Sequence, residues 1–186
     1  MYSAEFYIAL LIHLVSLIVG LGSVLVIDAF GVLWLTKRVT LVSVVKVANV
    51  TQELIWLGWF GLVFSGIPLI LIKGSVDNLT LIKLFLVVLV GLNGLFLHHI
   101  KKRFQSIVRY HGTVSPRDEF HIGFATLISQ VGWWGAVIIG FAHRHIAHRM
   151  DWPENPWPYM ITSIIVIITT FYAGETIFHG KHKFKA

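Results

Sequence analysis

The chain of 186 residues is 56% hydrophobic and 13% charged, with a mean hydropathy of +0.77, which leaves too little polar surface for a soluble domain of this size. It has no cysteine, so disulfides, cysteine-ligated iron–sulfur clusters, covalent c-type haem and thiolate copper are excluded, and any metal must be held by His, Asp, Glu, Met or backbone. The net charge of +6 comes from cations in connections that flank apolar segments, which points to the lipid bilayer as partner and away from nucleic acid.

No basic leader with a small-residue cleavage site precedes the first apolar segment, so that segment is expected to stay as a span and the mature chain to start near Met1. The span is predicted at about residues 6–30, and its apolar character runs on to Leu35, about 30 residues where about 20 would cross the hydrocarbon. It must tilt, or bend near Asp28 and Gly31 into an interfacial tail. Ser16, Gly20 and Ser23 follow the small-residue spacing that lets helices approach closely. The next connection carries Lys37, Arg38 and Lys46, and its apolar stretch 39–50 is expected to lie along the interface as a short separate helix.

The second span is predicted at about 51–72, with Thr51 as N-cap and Glu53, Trp56, Trp59 and Pro68 along it. Residues 73–78 have the Gly, Ser, Asp and Asn content of a tight turn. The third span, about 79–99, closes on His98-His99 and is followed by Lys101-Lys102-Arg103. After a basic loop, Ser115-Pro116-Arg117-Asp118 reads as a helix start, with an N-cap, Pro at the first helical position and an acid in the first turn. The fourth span covers about 120–142 and contains Gln130, Trp133 and Trp134. A loop rich in Trp, Pro and His follows, in which Trp152, Trp157 and Tyr159 read as an aromatic belt. The fifth span, about 160–178, holds Glu175 and ends at His179, before Lys181, Lys183 and Lys185. The sequence therefore predicts a single all-α domain, an integral membrane bundle of five transmembrane helices.

Alternating the connections between the two sides divides the 15 Lys and Arg unequally. Lys37, Arg38, Lys46, Lys101, Lys102, Arg103, Arg109, Arg117, Lys181, Lys183 and Lys185 share one side, while Lys73, Lys83, Arg144 and Arg149 share the other, a division of 11 to 4. Cations are retained in the cytoplasm, so the N-terminus is expected outside and the C-terminus inside.

With direction fixed, Asp28, Glu53, His98 or His99, His121, Glu175 and His179 fall in one cytoplasmic layer roughly 9 to 16 Å from the midplane, by the helical rise. Glu175 and His179 are one turn apart and share a face. Imidazoles from facing helices ligate haem iron in bundles, and a carboxylate with His at one-turn spacing holds non-haem metals. Headgroup anchoring, or pairing with the abundant Lys and Arg, is the better account of any one of these residues alone, and it is the convergence of the whole layer that favours a metal or haem site. Toward the outer side, His13 lies deeper than an anchor needs, and His143, His145 and His148 form an H-x-H-x-x-H pattern that suits copper or zinc. Ser65, Asn93 and Gln130 are the polar groups nearest the midplane, and interhelical hydrogen bonding accounts for them.

The stretch from His13 through Ser23 to Asp28, and Leu92-Asn93-Gly94-Leu95-Phe96-Leu97-His98, resemble segments of small, poorly characterised bacterial integral membrane proteins. The arrangement is also broadly similar to bundle-type membrane cytochromes b, which implies axial histidines from different spans. It departs from di-haem members in lacking two histidines 13 or 14 apart on one span, so one haem is the expectation. The expected function is a membrane-embedded redox metalloprotein binding haem b, in electron transfer or as a small membrane oxidoreductase, with a redox partner in the membrane and room for a homodimer. The candidate cofactor ligands are His98, His99, His179, His121 and His13. His13, with His143 or His145, is the candidate ligand set of an outer metal centre such as copper, and Asp28, Glu53 and Glu175 on the cytoplasmic side are candidate ligands of a non-haem metal, proton carriers or supports of the axial histidines. Transport of a metal ion or small molecule, or a cofactor-free assembly role, are the alternatives.

Overall fold

Five helices, α1 (Ala4–Leu35), α2 (Leu41–Lys73), α3 (Asn78–Arg109), α4 (Pro116–His145) and α5 (Trp157–Lys183), account for most of the described residues. The computed structural model describes residues 4–146 and 154–183, without the side chains of Arg144 and of 179–183. It is 89% helical, and no strand occurs among the described residues. All five helices are long and apolar enough to cross a membrane, as the hydropathy pattern requires. Every backbone N–H and C=O in lipid must be satisfied within the segment, and a helix does this without help from neighbours.

Two of the expected boundaries change. Residues 41–50 form no separate interfacial helix but are the first turns of α2, and Thr51 is not a cap: it lies mid-helix with its hydroxyl on Val47 O at 2.9 Å. The N-cap is Thr40, whose side chain accepts from Ser43 N. The chain has no Gly or Pro between Leu41 and Trp56 to stop the helix, and Lys46 and Asn49 lower hydropathy without lowering helix formation much. The basic stretch after His99 is likewise helix as far as Arg109. At the start of α4 the expected signature holds as a full capping box, Ser115 with Asp118, and Pro116 at the first turn.

The turns close with recognisable chemistry. Gly74 caps α2 in the left-handed conformation (φ 73°), with its N–H on Ile70 O and Leu71 O. Lys37 (φ 59°) and His111 (φ 54°) take the same conformation after α1 and α3. Arg38 N reaches back to Leu33 O and Gly112 N to Ile107 O, which are Schellman closures.

The helices pack as two hairpins, α1 with α2 and α3 with α4, joined mainly through α2 and α3, while α5 touches α4 lightly. The small-residue stripe of α1 is the seam of the first hairpin: a Cβ on Gly58 would lie 2.6 Å from Gly20 Cα and 2.7 Å from Ser16 O. The backbones are in contact there, which is the packing available to helices that gain nothing from expelling water. Val24, Leu62, Val90 and Trp133 form the buried centre, with the Trp133 ring over Gly20. Trp59 packs on Gly91 and donates from Nε1 to Val87 O at 2.8 Å.

Candidate functional site

Polar side chains meet at three places: at the basic end of the bundle, at its opposite end, and in the wall of a cavity that lies toward the basic end. At the basic end, the capping of α4 grows into an ion-pair network. Asp118, almost fully buried, accepts from Ser115 Oγ at 2.6 Å and pairs with Arg103 Nε of α3 at 2.7 Å. One residue earlier, Arg117 forks onto Glu175 of α5, Nε to Oε1 at 3.1 Å and Nη2 to Oε2 at 2.5 Å. The same carboxylate lies 2.5 Å from His121 Nε2, so one acid of α5 is held by two residues of α4 one turn apart. The His121 ring stacks on Phe171 (5.6 Å, 16°) and meets Phe96 and Phe120 at 5.9 Å.

The register between α3 and α4 is fixed by Asn93 Nδ2 donating to Ala125 O at 2.8 Å and by Arg103 with Asp118. Interpolating between them sets His99 of α3 level with His121 of α4, and so with Glu175. The His99 ring is exposed, with Nδ1 on its own Leu95 O at 2.8 Å. Its neighbour His98 points elsewhere and takes a 3.1 Å hydrogen bond at Nδ1 from Gln52 Nε2 of α2. Glu53 is exposed beside Lys101. The His179 side chain lies outside the described residues.

Asp28 behaves differently from the layer expected for it. Its carboxylate accepts from Gln130 of α4, one of the residues counted among the central polar groups, so α1 and α4 are tied across the bundle. Asp28 and Gln52 both line an apolar, partly open cavity of about 240 Å³ between α1, α2, α3 and α4. Trp34, Trp56 and Phe104 contribute its aromatic wall, and no histidine lines it. Gln52 Oε1 and Trp133 Nε1 are the buried side-chain polar atoms left without a hydrogen-bond partner among the described residues.

No protein-family model, curated protein or solved structure matches this chain.

At the opposite end, His13 Nδ1 lies 3.0 Å from Ser65 Oγ, which in turn donates to Gly61 O at 2.5 Å. His143 is surrounded: Nε2 is 2.9 Å from Asp77 Oδ2 and 3.3 Å from Lys73 Nζ, and Nδ1 is 3.5 Å from Lys83 Nζ. Donation from Nε2–H to Asp77 and acceptance at Nδ1 from Lys83 uses both ring nitrogens. Partial burial opposes ionisation of Asp77, but hydrogen bonds from Lys73 and Thr80, with Thr80 N, hold its carboxyl well below the usual carboxylate range. His145 is exposed and packs on Phe141 at 4.8 Å, while His148 lies outside the described residues. Among the described residues no three His, Asp or Glu side chains come close enough to enclose one ion.

Pairing is what sequence reasoning missed. Ser65, Asn93 and Gln130 each make the interhelical bond expected of them, but His13, Ala125 O and Asp28 were not readable as the partners. The sequence marks Arg117 as part of a helix start and as one of the cations of the positive side, not as a partner of Glu175. The position of Arg117 one turn before His121 was the available signal that both face one partner helix.

Proposed function

We propose that this multi-pass membrane protein binds haem b at its basic end and acts in electron transfer or as a small membrane oxidoreductase, with that end in the cytoplasm of a bacterial inner membrane. The observation that carries the reading is that α3 and α4 present, on one level, two imidazoles that each have one nitrogen engaged: His99 on Leu95 O and His121 on Glu175. A carboxylate or backbone carbonyl behind a histidine fixes the ring and its tautomer and leaves the second nitrogen as a metal donor. In both rings that second nitrogen has no hydrogen bond among the described residues. Imidazoles with a second nitrogen left over are the donor type a haem iron takes, and the rings of Phe96, Phe120 and Phe171 give His121 apolar surroundings. The cavity between α1 and α4 does not fit one, since it has no imidazole in its wall and is smaller than the roughly 300 Å³ at which drug-sized ligand pockets begin. When bound, haem b supplies one-electron transfer. Glu175, forked by Arg117, would orient His121 by accepting from the ring N–H.

The test is the visible spectrum of protein purified from haem-replete cells. A Soret band is expected, lost or shifted in His121→Ala and His99→Ala, and retained in Arg117→Ala, which loosens Glu175 without removing a ring. A protein with no Soret band overturns the reading, and a band insensitive to both histidines overturns the assignment. Replacing His98 and His179 in the same series tests the remaining candidates. Elemental analysis of the same sample reads whether His13, with His143 or His145, holds a second metal such as copper.

A further inference from the structure

The hairpin of α1 and α2 packs against the rest of the bundle on one face only. Along its other face runs an open groove, walled by Ile18, Gly22 and Val26 of α1 and by Val47, Val50 and Leu54 of α2. Among the described residues none of α3, α4 or α5 lines it. Gly22 gives the groove depth, since a Cβ there would meet no atom within 4 Å. Both hydroxyls in the wall are turned back onto their own helices, Ser23 onto Val19 O at 2.7 Å and Thr51 onto Val47 O at 2.9 Å. The surface between them is therefore apolar in its chemistry, and the charged group of the groove is Lys46 at its basic end.

Length and charge both match one leaflet of a bilayer. Gly20 and Gly58, in backbone contact, lie at the middle of α1 and of α2, so the two helices share a midplane. About 30 Å of hydrocarbon centred there ends roughly 10 residues to either side, which is the level of Lys46, while Ile18 lies close to the centre. The groove thus runs from the headgroup boundary to the midplane, the reach of one acyl chain. No Asp or Glu occurs between Asp28 and Glu53, a stretch that holds Lys37, Arg38 and Lys46. The two acids that bracket it are engaged elsewhere, Asp28 with Gln130 in the cavity on the opposite face and Glu53 beside Lys101. Lys46 is exposed and forms no ion pair among the described residues.

We propose that this groove holds one acyl chain of an anionic phospholipid from the leaflet at the basic end, with the headgroup phosphate on the Lys46 ammonium. A lysine at the boundary is by itself an ordinary anchor; a lysine over a groove one leaflet deep is a site for both ends of a lipid. A zwitterionic headgroup would bring its own cation to a stretch with no carboxylate to meet it. The site uses none of the histidines and is independent of the haem reading. The experiment is native mass spectrometry of the purified protein in micelles with equal amounts of dioleoyl phosphatidylglycerol and dioleoyl phosphatidylcholine. Retention of the phosphatidylglycerol is expected to exceed that of the phosphatidylcholine by about fivefold, the scale of one lysine at an anionic surface. Lys46→Gln should abolish the preference and Lys46→Arg keep it, while Lys102→Gln, which removes an exposed cation outside the groove, should leave it unchanged. Gly22→Leu, which fills the groove, should lower retention of both lipids. No preference in the parent, a preference that survives Lys46→Gln, or an equal loss in Lys102→Gln, as diffuse charge would give, overturns the proposal. So does a dimer that Gly22→Leu dissociates with lipid retention unchanged, which would make the groove a contact between copies.

Discussion

At Asp77 one carboxylate closes three connections. It caps α3 by accepting from Thr80 N at 2.9 Å, pairs with Lys73 of α2 at 2.8 Å and meets His143 of α4 at 2.9 Å. Because its folded pKa is depressed, the ionised form stabilises the fold at every pH above the ordinary carboxylate value near 3.9. That contribution falls away only as the pH drops below that value toward the folded pKa. Asp77→Ala should therefore lower stability by about 1 kcal/mol at pH 7, the usual scale for a lost N-cap. In thermal unfolding of the solubilised protein, the gap between variant and parent should persist down to about pH 4 and narrow below it. A gap unchanged at pH 3 would mean that the ionised carboxylate is not what stabilises this corner. The turn was legible in the sequence because Gly74 and Asp77 carry local conformational preferences. The convergence of Lys73 and His143 on it was not, since it depends on where α2 and α4 come to rest across the turn.

Helices α1 and α2 show what hydropathy can and cannot fix. Apolar runs located all five helices, because the bilayer demands about 20 such residues per crossing. They misplaced the start of α2, because hydropathy reports what enters lipid, not where a helix begins. The extension of α3 past His99 is likewise held by polar bonds, Gln105 to Asn49 at 2.9 Å and Arg103 to Asp118 at 2.7 Å, that carry no apolar signal. The seam between α1 and α2 was legible on one side only: the small-residue spacing of Ser16, Gly20 and Ser23 announced a close approach, without naming Gly58 and Gly61 as what approaches. Gly58→Ala would press a methyl on backbone atoms of Gly20 and Ser16, which no side-chain rotation relieves. It should destabilise the protein by about 1–3 kcal/mol. Gly22→Ala, two residues along α1 from Gly20 and with nothing within 4 Å of the new Cβ, should be neutral or slightly stabilising in the same thermal assay. Equal effects would contradict backbone contact as the basis of the hairpin.

For the whole molecule, the two hairpins create the cavity and the network with α5 closes the basic end. Neither could be read from a linear pattern, since Asp28 with Gln130 and Arg117 with Glu175 join residues far apart in the chain. Orientation is a global property of another kind, resting on the charge division between connections. The end where α1 finishes, α2 starts and α3 turns into α4 carries Lys37, Arg38, Arg103 and Arg109, while the turn from α2 to α3 carries Lys73 alone. The positive end should face the cytoplasm. The absence of cysteine makes the test clean, since a single introduced thiol is the only one present. Ser75 and Thr113 are exposed in connections at opposite ends, so Ser75→Cys and Thr113→Cys report the two sides without disturbing a helix. In intact spheroplasts a membrane-impermeant maleimide should label the thiol at position 75 and leave that at 113 unlabelled until the membrane is permeabilised. Labelling at 113 alone would invert the topology and move His99, His121 and Glu175 to the outer face.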